Sequence, residues 1–280
     1  MPSDPWSILA VFPRRTMISR GAAGTGGGEQ VLATNVDKVW IVHGLDMPLN
    51  SRRLERYLAV VWDSGATPEI VLTKGDMAED LDAAVGQAQL AALGAPVRCV
   101  SSMDPGSVQD LRDSLAPGCT VALLGPSGVG KSTLVNLLAG NTIAVTGEVR
   151  SGDRKGRHTT VRRELFRIPG GALLLDTPGM RELRVGLLDE GLSQAFADVE
   201  AVAEGCRFRD CRHQGEPGCA VLEAVAQGDL DSGRLASFHK LQAEAAHETR
   251  KTDPRARAAA VSEWKTAMKT LKQHPKYKNR

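Results

Sequence analysis

The hydrophobic positions of this chain fall into short apolar runs that alternate with amphipathic stretches. Residues 38–42, Lys38-Val39-Trp40-Ile41-Val42, form a β-branched run of strand length. Residues 51–62 repeat at helical spacing, with Leu54, Tyr57, Leu58 and Val61 on one face. The alternation continues, predicting strands over 68–73, 97–101, 120–125 and 171–176 and helices over 77–93, 106–115 and 131–139. Strands separated by helices predict an α/β fold, a mostly parallel sheet with helices on both faces. Ahead of it, Ile8-Leu9-Ala10-Val11-Phe12 predicts one strand ended by Pro13, and residues 21–28 (GAAGTGGG) predict a flexible linker. From Glu190 onward helical segments dominate around a compact stretch at 206–219, which predicts a separate domain. The expected units are therefore 1–28, 29–189 and 190–280.

Composition adds little to this outline until it is resolved along the chain. Of 280 residues, 42% are hydrophobic and 24% charged, a globular balance, and the net charge is only +2. The basic residues are concentrated at the end, where Arg250, Lys251, Arg255, Arg257, Lys265, Lys269, Lys272, Lys276, Lys278 and Arg280 face only Asp253 and Glu263. Such a run suits contact with a phosphate backbone, or it is simply a solvated helix. No run approaches the ~20 apolar residues of a membrane span. The first residues lack the basic flank and apolar stretch of a secretory signal. A cytoplasmic protein without membrane contact is expected. Of the five cysteines, Cys99 and Cys119 stand alone in apolar surroundings, whereas Cys206, Cys211 and Cys219 cluster. In a reducing compartment the cluster points to metal rather than disulfides.

Three motifs carry chemistry. Gly125-Pro126-Ser127-Gly128-Val129-Gly130-Lys131-Ser132 matches G-x-x-x-x-G-K-[ST], with an apolar run before it and a helical one from Thr133 after it. Glycines let backbone N–H groups curl around an anion, and the helix N-terminus adds partial positive charge. Lys131 would reach the terminal phosphates, Ser132 would ligate magnesium, and Thr133 would complete the contacts. Leu173-Leu174-Leu175-Asp176-Thr177-Pro178-Gly179 ends an apolar strand in an aspartate suited to magnesium, with the Gly179 N–H available to a γ-phosphate. Thr73-Lys74-Gly75-Asp76 follows a strand and fits [NT]-K-x-D. One carboxylate accepts both guanine donors, so Asp76 would select guanine, with the Lys74 stem over the purine. Ser101 or Ser102, just after the strand 97–100, would offer an N–H to the guanine oxygen. An ATP-binding protein would leave Lys74 and Asp76 without a task. The base motif precedes the phosphate loop, the order of a circularly permuted GTPase. Finally, Cys206-x4-Cys211-x-His213-x5-Cys219 offers three thiolates and an imidazole, a donor set for one closed, structural zinc site.

Taken in order, these motifs resemble the ribosome small-subunit-dependent GTPase A family. Glu29-Gln30-Val31-Leu32-Ala33-Thr34-Asn35-Val36-Asp37 and Gly156-Arg157-His158-Thr159-Thr160 are similar to it as well, and the likeness runs from about Ile8 to Glu244. The resemblance implies magnesium-dependent GTP hydrolysis to GDP, stimulated by the small ribosomal subunit and its rRNA, late in that subunit's maturation, by a monomer. It also implies an OB-fold domain, of which residues 1–28 are expected to keep a last strand. Met180 stands where many GTPases carry a water-positioning glutamine. By resemblance, His158 takes that task and Thr160 holds magnesium. Two other functions fit less of the pattern: a nucleotide-gated RNA-binding module with little catalysis, and a permuted GTPase of the large subunit.

Overall fold

The structure, a computed structural model, describes residues 8–21, 29–142, 164–176, 190–253, 255–259, 261–262, 265 and 268. Its centre is a six-stranded sheet. The strands are β3 (Lys38–Gly44), β4 (Thr67–Thr73), β5 (Val97–Cys99), β6 (Thr120–Leu124), β7 (Glu164–Arg167) and β8 (Leu173–Asp176), in the order β5-β4-β3-β6-β8-β7. Every neighbouring pair is parallel except β7 with β8. Strand side chains alternate between faces, so Val39 and Ile41 enter one core while Trp40 and Val42 enter the other. The first core is covered by α1 (Ser51–Asp63) and α2 (Leu81–Ala92), the second by α3 (Pro105–Asp113) and α4 (Lys131–Ala139). Helix α1 follows its sequence pattern. Asn50 caps it by accepting from the Arg53 N–H, and Leu54, Tyr57, Leu58 and Val61 are buried.

The predicted strand at 8–12 is not formed. Residues 8–14 form no regular secondary structure, Ile8, Leu9, Val11 and Phe12 are exposed, and they pair with no strand among the described residues. An apolar run becomes a strand only where a neighbour takes its backbone hydrogen bonds. That neighbour exists a few residues on, where β1 (Met17–Gly21) pairs antiparallel with β2 (Glu29–Thr34). The boundary expected between 28 and 29 falls between these paired strands, and Ile18, Leu32 and Val36 join the first core. The helix expected from 77 begins at Leu81, because a short 3-10 turn, Gly75–Met77, comes first and Asp80 caps α2.

Beyond residue 190, α5 (Glu190–Ala195), α6 (Ala197–Ala203), α7 (Ala220–Gln227) and α8 (Ser232–Thr252) share the first core with α1. Polar contacts fix the junction. The Arg234 guanidinium of α8 donates to Glu55 of α1 (2.9 Å), to both Asp198 oxygens (2.5 and 2.9 Å) and to the Ala195 carbonyl (2.6 Å), and lies 4.6 Å over the Phe196 ring. Arg56 and Glu244 add a bidentate pair at 2.7 Å. Arg234 and Glu55 are 9% and 5% exposed at the side chain, so removing one strands the other in a poorly solvated place. Arg234→Ala is expected to lower unfolding stability by about 3–5 kcal/mol in a urea titration, whereas Arg56→Ala, whose partner is 33% exposed at the side chain, costs about 1 kcal/mol or less.

Candidate nucleotide site and metal centre

Ligands of open α/β sheets sit beyond the carboxyl ends of the strands, where successive connections leave in opposite directions. Here that point lies between β3 and β6. The chain runs outward through β4 and β5, then returns to β6 beside β3. The phosphate loop leaves β6 and the base motif leaves β4, so both open on the same edge. Gly125 makes the first turn possible. Its φ is +155°, and a Cβ there would collide with the Val42 carbonyl oxygen of β3. The loop ends at Gly130, the cap of α4, so the helix's unpaired N–H groups face the loop. Lys131 Nζ donates to the carbonyls of Gly125 (2.7 Å) and Pro126 (2.6 Å), folded over the loop it would serve.

A cleft of about 240 Å³ joins the two motifs. Thr73, Lys74, Asp76, Ser101, Ser102, Gly130 and Thr133 all border it. Thr73 stands where asparagine is commoner in such motifs, and its hydroxyl donates to the Val129 carbonyl at 2.5 Å, tying the base loop to the phosphate loop. Lys74 adopts a left-handed conformation, φ 57°, uncommon for a residue with a side chain and typical of functional turns. Its ammonium donates to the Gly128 carbonyl (2.9 Å) and to Asp46 (2.6 Å). The Ser101 hydroxyl donates to Asp76. The Ser101 N–H is already given to the Ser107 hydroxyl at 3.2 Å, while the Ser102 N–H has no acceptor among the described residues. Of the two serines considered for the purine oxygen, only Ser102 keeps its N–H available.

Asp46 was not singled out by the sequence motifs. Its signal is positional, an acid two residues beyond β3 at the ligand edge of the sheet. Gly44 makes room for it: a Cβ there would lie 2.6 Å from the Asp46 carboxylate and 3.5 Å from Lys74 Cδ. The expected roles of His158, Thr160, Thr177, Pro178, Gly179 and Met180 fall outside the described residues. The backbone of Asp176 ends β8, two strands from β3 and adjacent to β6.

The second constellation lies between α6 and α7. One donor atom from each of Cys206, Cys211, His213 and Cys219 falls within 4.8 Å of the others. His213 Nδ1 lies 3.6 Å from Cys206 Sγ and 3.4 Å from Cys219 Sγ, and those two sulfurs are 3.9 Å apart. Zinc bonds of ordinary length at tetrahedral angles separate such donors by roughly 3.5–3.8 Å, so the set fits a closed four-ligand metal site. Glu216, also unmarked by sequence, braces it. Its carboxylate accepts from the N–H groups of Gln214 (2.8 Å) and Arg212 (3.0 Å), on either side of His213. Those backbone bonds, Gln214 foremost, hold its carboxyl at about 2, so it stays ionised wherever thiolates bind metal.

A family model described as RsgA GTPase matches residues 11–186. The small ribosomal subunit biogenesis GTPase RsgA of Methanosarcina acetivorans is 46% identical over 246 residues, covering 88% of this chain and 67% of that protein. The chain belongs to the RsgA GTPase family. The RsgA protein of Opitutus terrae is 49% identical over 259 residues, covering 92% and 71%. Among solved structures, YloQ, a circularly permuted GTPase, aligns with a TM-score of 0.54 at 28% identity over 76% of this chain and 69% of that one. YjeQ from Thermotoga maritima shares the fold, with a TM-score of 0.60 at 23% identity over 84% and 77%. The mostly parallel α/β sheet described above, with the base motif before the phosphate loop, agrees with the likeness to a circularly permuted GTPase.

The two bracing carboxylates can each be tested. Asp46→Ala removes one of the two acceptors of the Lys74 ammonium and leaves its bond to Gly128, so GDP and GTP affinities should fall together, by about 5–10-fold in isothermal titration, or roughly 1 kcal/mol. A loss confined to GTP would place Asp46 at the phosphate end instead. Glu216→Ala should leave the metal ligands intact but speed loss of metal to a chelator about tenfold, as removal of supporting hydrogen bonds does at other metal sites.

Proposed function

We propose that the chain is a magnesium-dependent GTPase acting in biogenesis of the small ribosomal subunit, as a monomer in the cytoplasm, with GTP hydrolysis stimulated by that subunit. The observation that carries this is the shared cleft. The carboxylate of Asp76, in a sequence that fits a guanine-reading motif, and the start of helix α4 border one opening, in a chain of the RsgA GTPase family. RsgA relatives are named as small ribosomal subunit biogenesis GTPases, which supports the assignment of partner.

In this proposal Asp76 accepts the paired N–H donors of guanine and Ser102 donates to its oxygen. The Lys74 stem lies along the purine, held by Asp46 and Gly128. The N–H groups from Gly125 to Thr133 surround the phosphates, and Lys131 turns from its loop carbonyls to the terminal oxygens. Stabilisation is electrostatic and positional, as phosphoryl transfer requires. Ser132, Thr160 and Asp176 would hold magnesium, which when bound neutralises charge on the β- and γ-phosphates. His158 would orient water, and the Gly179 N–H would meet the γ-phosphate. The cysteine–histidine set would hold one structural zinc, since all four positions of a tetrahedral ion are then filled by protein. Among the described residues no helix is long and apolar enough to cross a membrane.

The test is single-turnover GTP hydrolysis with and without small ribosomal subunits. Acceleration of about a hundredfold or more is expected, of the size that a partner-ordered switch gives. Equal rates would reject subunit stimulation. Asp76→Asn should exchange preference from GTP to XTP in the same assay, and unchanged preference would remove Asp76 from the base site.

A further inference from the structure

A second opening lies on the other face of the sheet from α4, where α1 meets α8. It encloses about 330 Å³ and is bordered by Arg52, Arg53 and Arg56 of α1 and by Lys240 of α8, with Tyr57 and Leu241 as its apolar part. Arg56 is held in place by its bidentate pair with Glu244. Arg52, Arg53 and Lys240 make no ion pair among the described residues. Two of these cations occupy the first turn of α1, which contains no acid. The N-terminal end of a helix carries partial positive charge and favours acids, so arginines there oppose folding of the chain alone. The arrangement becomes favourable when an anion enters the cleft. Guanidinium groups match phosphate oxygens in a planar fork, and several convergent cations suit a chain of phosphates better than a single ion.

We propose that this cleft is an RNA-backbone site, separate from the nucleotide cleft, through which the chain grips the sugar–phosphate strand of its ribosomal partner. The choice of RNA over another polyanion rests on the proposed function above. Contacts of this kind position a protein on its partner without reading sequence, and they weaken steeply with salt because counterions are released. The site therefore sets affinity and orientation, not base preference.

The experiment uses the full chain, a fluorescein-labelled RNA hairpin and anisotropy across a salt series. The variant combines Arg52→Ala, Arg53→Ala and Lys240→Ala, leaving Arg56 and Glu244 in place. RNA affinity should fall at least tenfold at low salt, and the slope of log affinity on log salt should shrink by about 2 to 3, close to one for each phosphate no longer neutralised. Metal content and intrinsic GTP hydrolysis should stay at the parent values, and the melting temperature should hold or rise, because two cations that oppose the helix dipole are removed. A combined Arg255→Ala, Arg257→Ala and Lys265→Ala variant removes the same charge elsewhere and should weaken binding markedly less. Equal effects from the two variants, or an unchanged slope, would overturn the proposal, as would polyglutamate competing as well as unlabelled RNA. Co-sedimentation with small subunits in a non-hydrolysable GTP analogue separates this from the functional reading. If the parent pellets and the cleft variant pellets equally, the cleft fails alone. If the parent does not pellet, the proposed partner fails, and the cleft stands or falls on the hairpin data.

Discussion

Two hydrogen bonds to phosphate-loop carbonyls hold the candidate site together. Thr73 donates to Val129 and Lys74 to Gly128, so the loop after β4 and the loop after β6 share an edge although 56 and 54 residues separate the partners. β3 lies between the two strands and supplies the floor. Its Val42 carbonyl sits where a side chain on Gly125 would have to go, and Gly44 leaves space for the Asp46 carboxylate that draws Lys74 inward. These contacts fix the distance between a carboxylate suited to guanine and a loop suited to phosphate. A ligand matching both ends meets groups already positioned, and less of its binding energy goes into ordering them. Permuting the motif order leaves this geometry unaffected, because it depends on strand neighbours and not on which loop the chain visits first.

Helix α1 carries the same logic outward. One face fills the core against the sheet, and Glu55 and Arg56 reach the helical region through Arg234 and Glu244. The buried arginine is surrounded by enough acceptors to offset its desolvation: two carboxylates, a carbonyl and an aromatic face. A pair so enclosed specifies one packing of α8 on α1, since any slip would leave charge without a partner. With a metal bound, Cys206, Cys211, His213 and Cys219 would do a comparable task in the α6–α7 connection, which is too short and polar to build a core of its own.

Motifs whose chemistry is local were legible in the sequence. The phosphate loop declares itself through eight consecutive positions with a strand before and a helix after, and α4 spans Lys131–Ala139 as expected. The clustering of Cys206, Cys211, His213 and Cys219, and the place of Thr73-Lys74-Gly75-Asp76 at the end of a strand, were legible for the same reason. Features defined by a partner distant in sequence were not. The Asp46 carboxylate looks like any turn acid until β3 and β4 are laid side by side. Glu216 gains its role only when the chain folds back to present two N–H groups to it. The apolar run at 8–12 looked like a strand because alternation does not reveal whether a neighbour is present. The less apolar Met17–Gly21 became one because β2 lay within reach.

Asp46 and the arginines of α1 also sit unusually close in sequence. The carboxylate that positions Lys74 and the first turn carrying Arg52 and Arg53 belong to one short connection out of β3. Its far end is pinned by the Asn50 cap and by burial of Leu54 and Tyr57, and its near end by the parallel ladder of β3 with β4. The α1 end is held by the first core, and residues 45–50 join it to the carboxyl end of β3. Among those residues Asp46 accepts from Lys74, which borders the nucleotide cleft. The nucleotide cleft opens beyond the carboxyl ends of the strands and the basic cleft where α1 meets α8, yet the covalent path between them is only a few residues long and starts at a group in direct contact with the base motif.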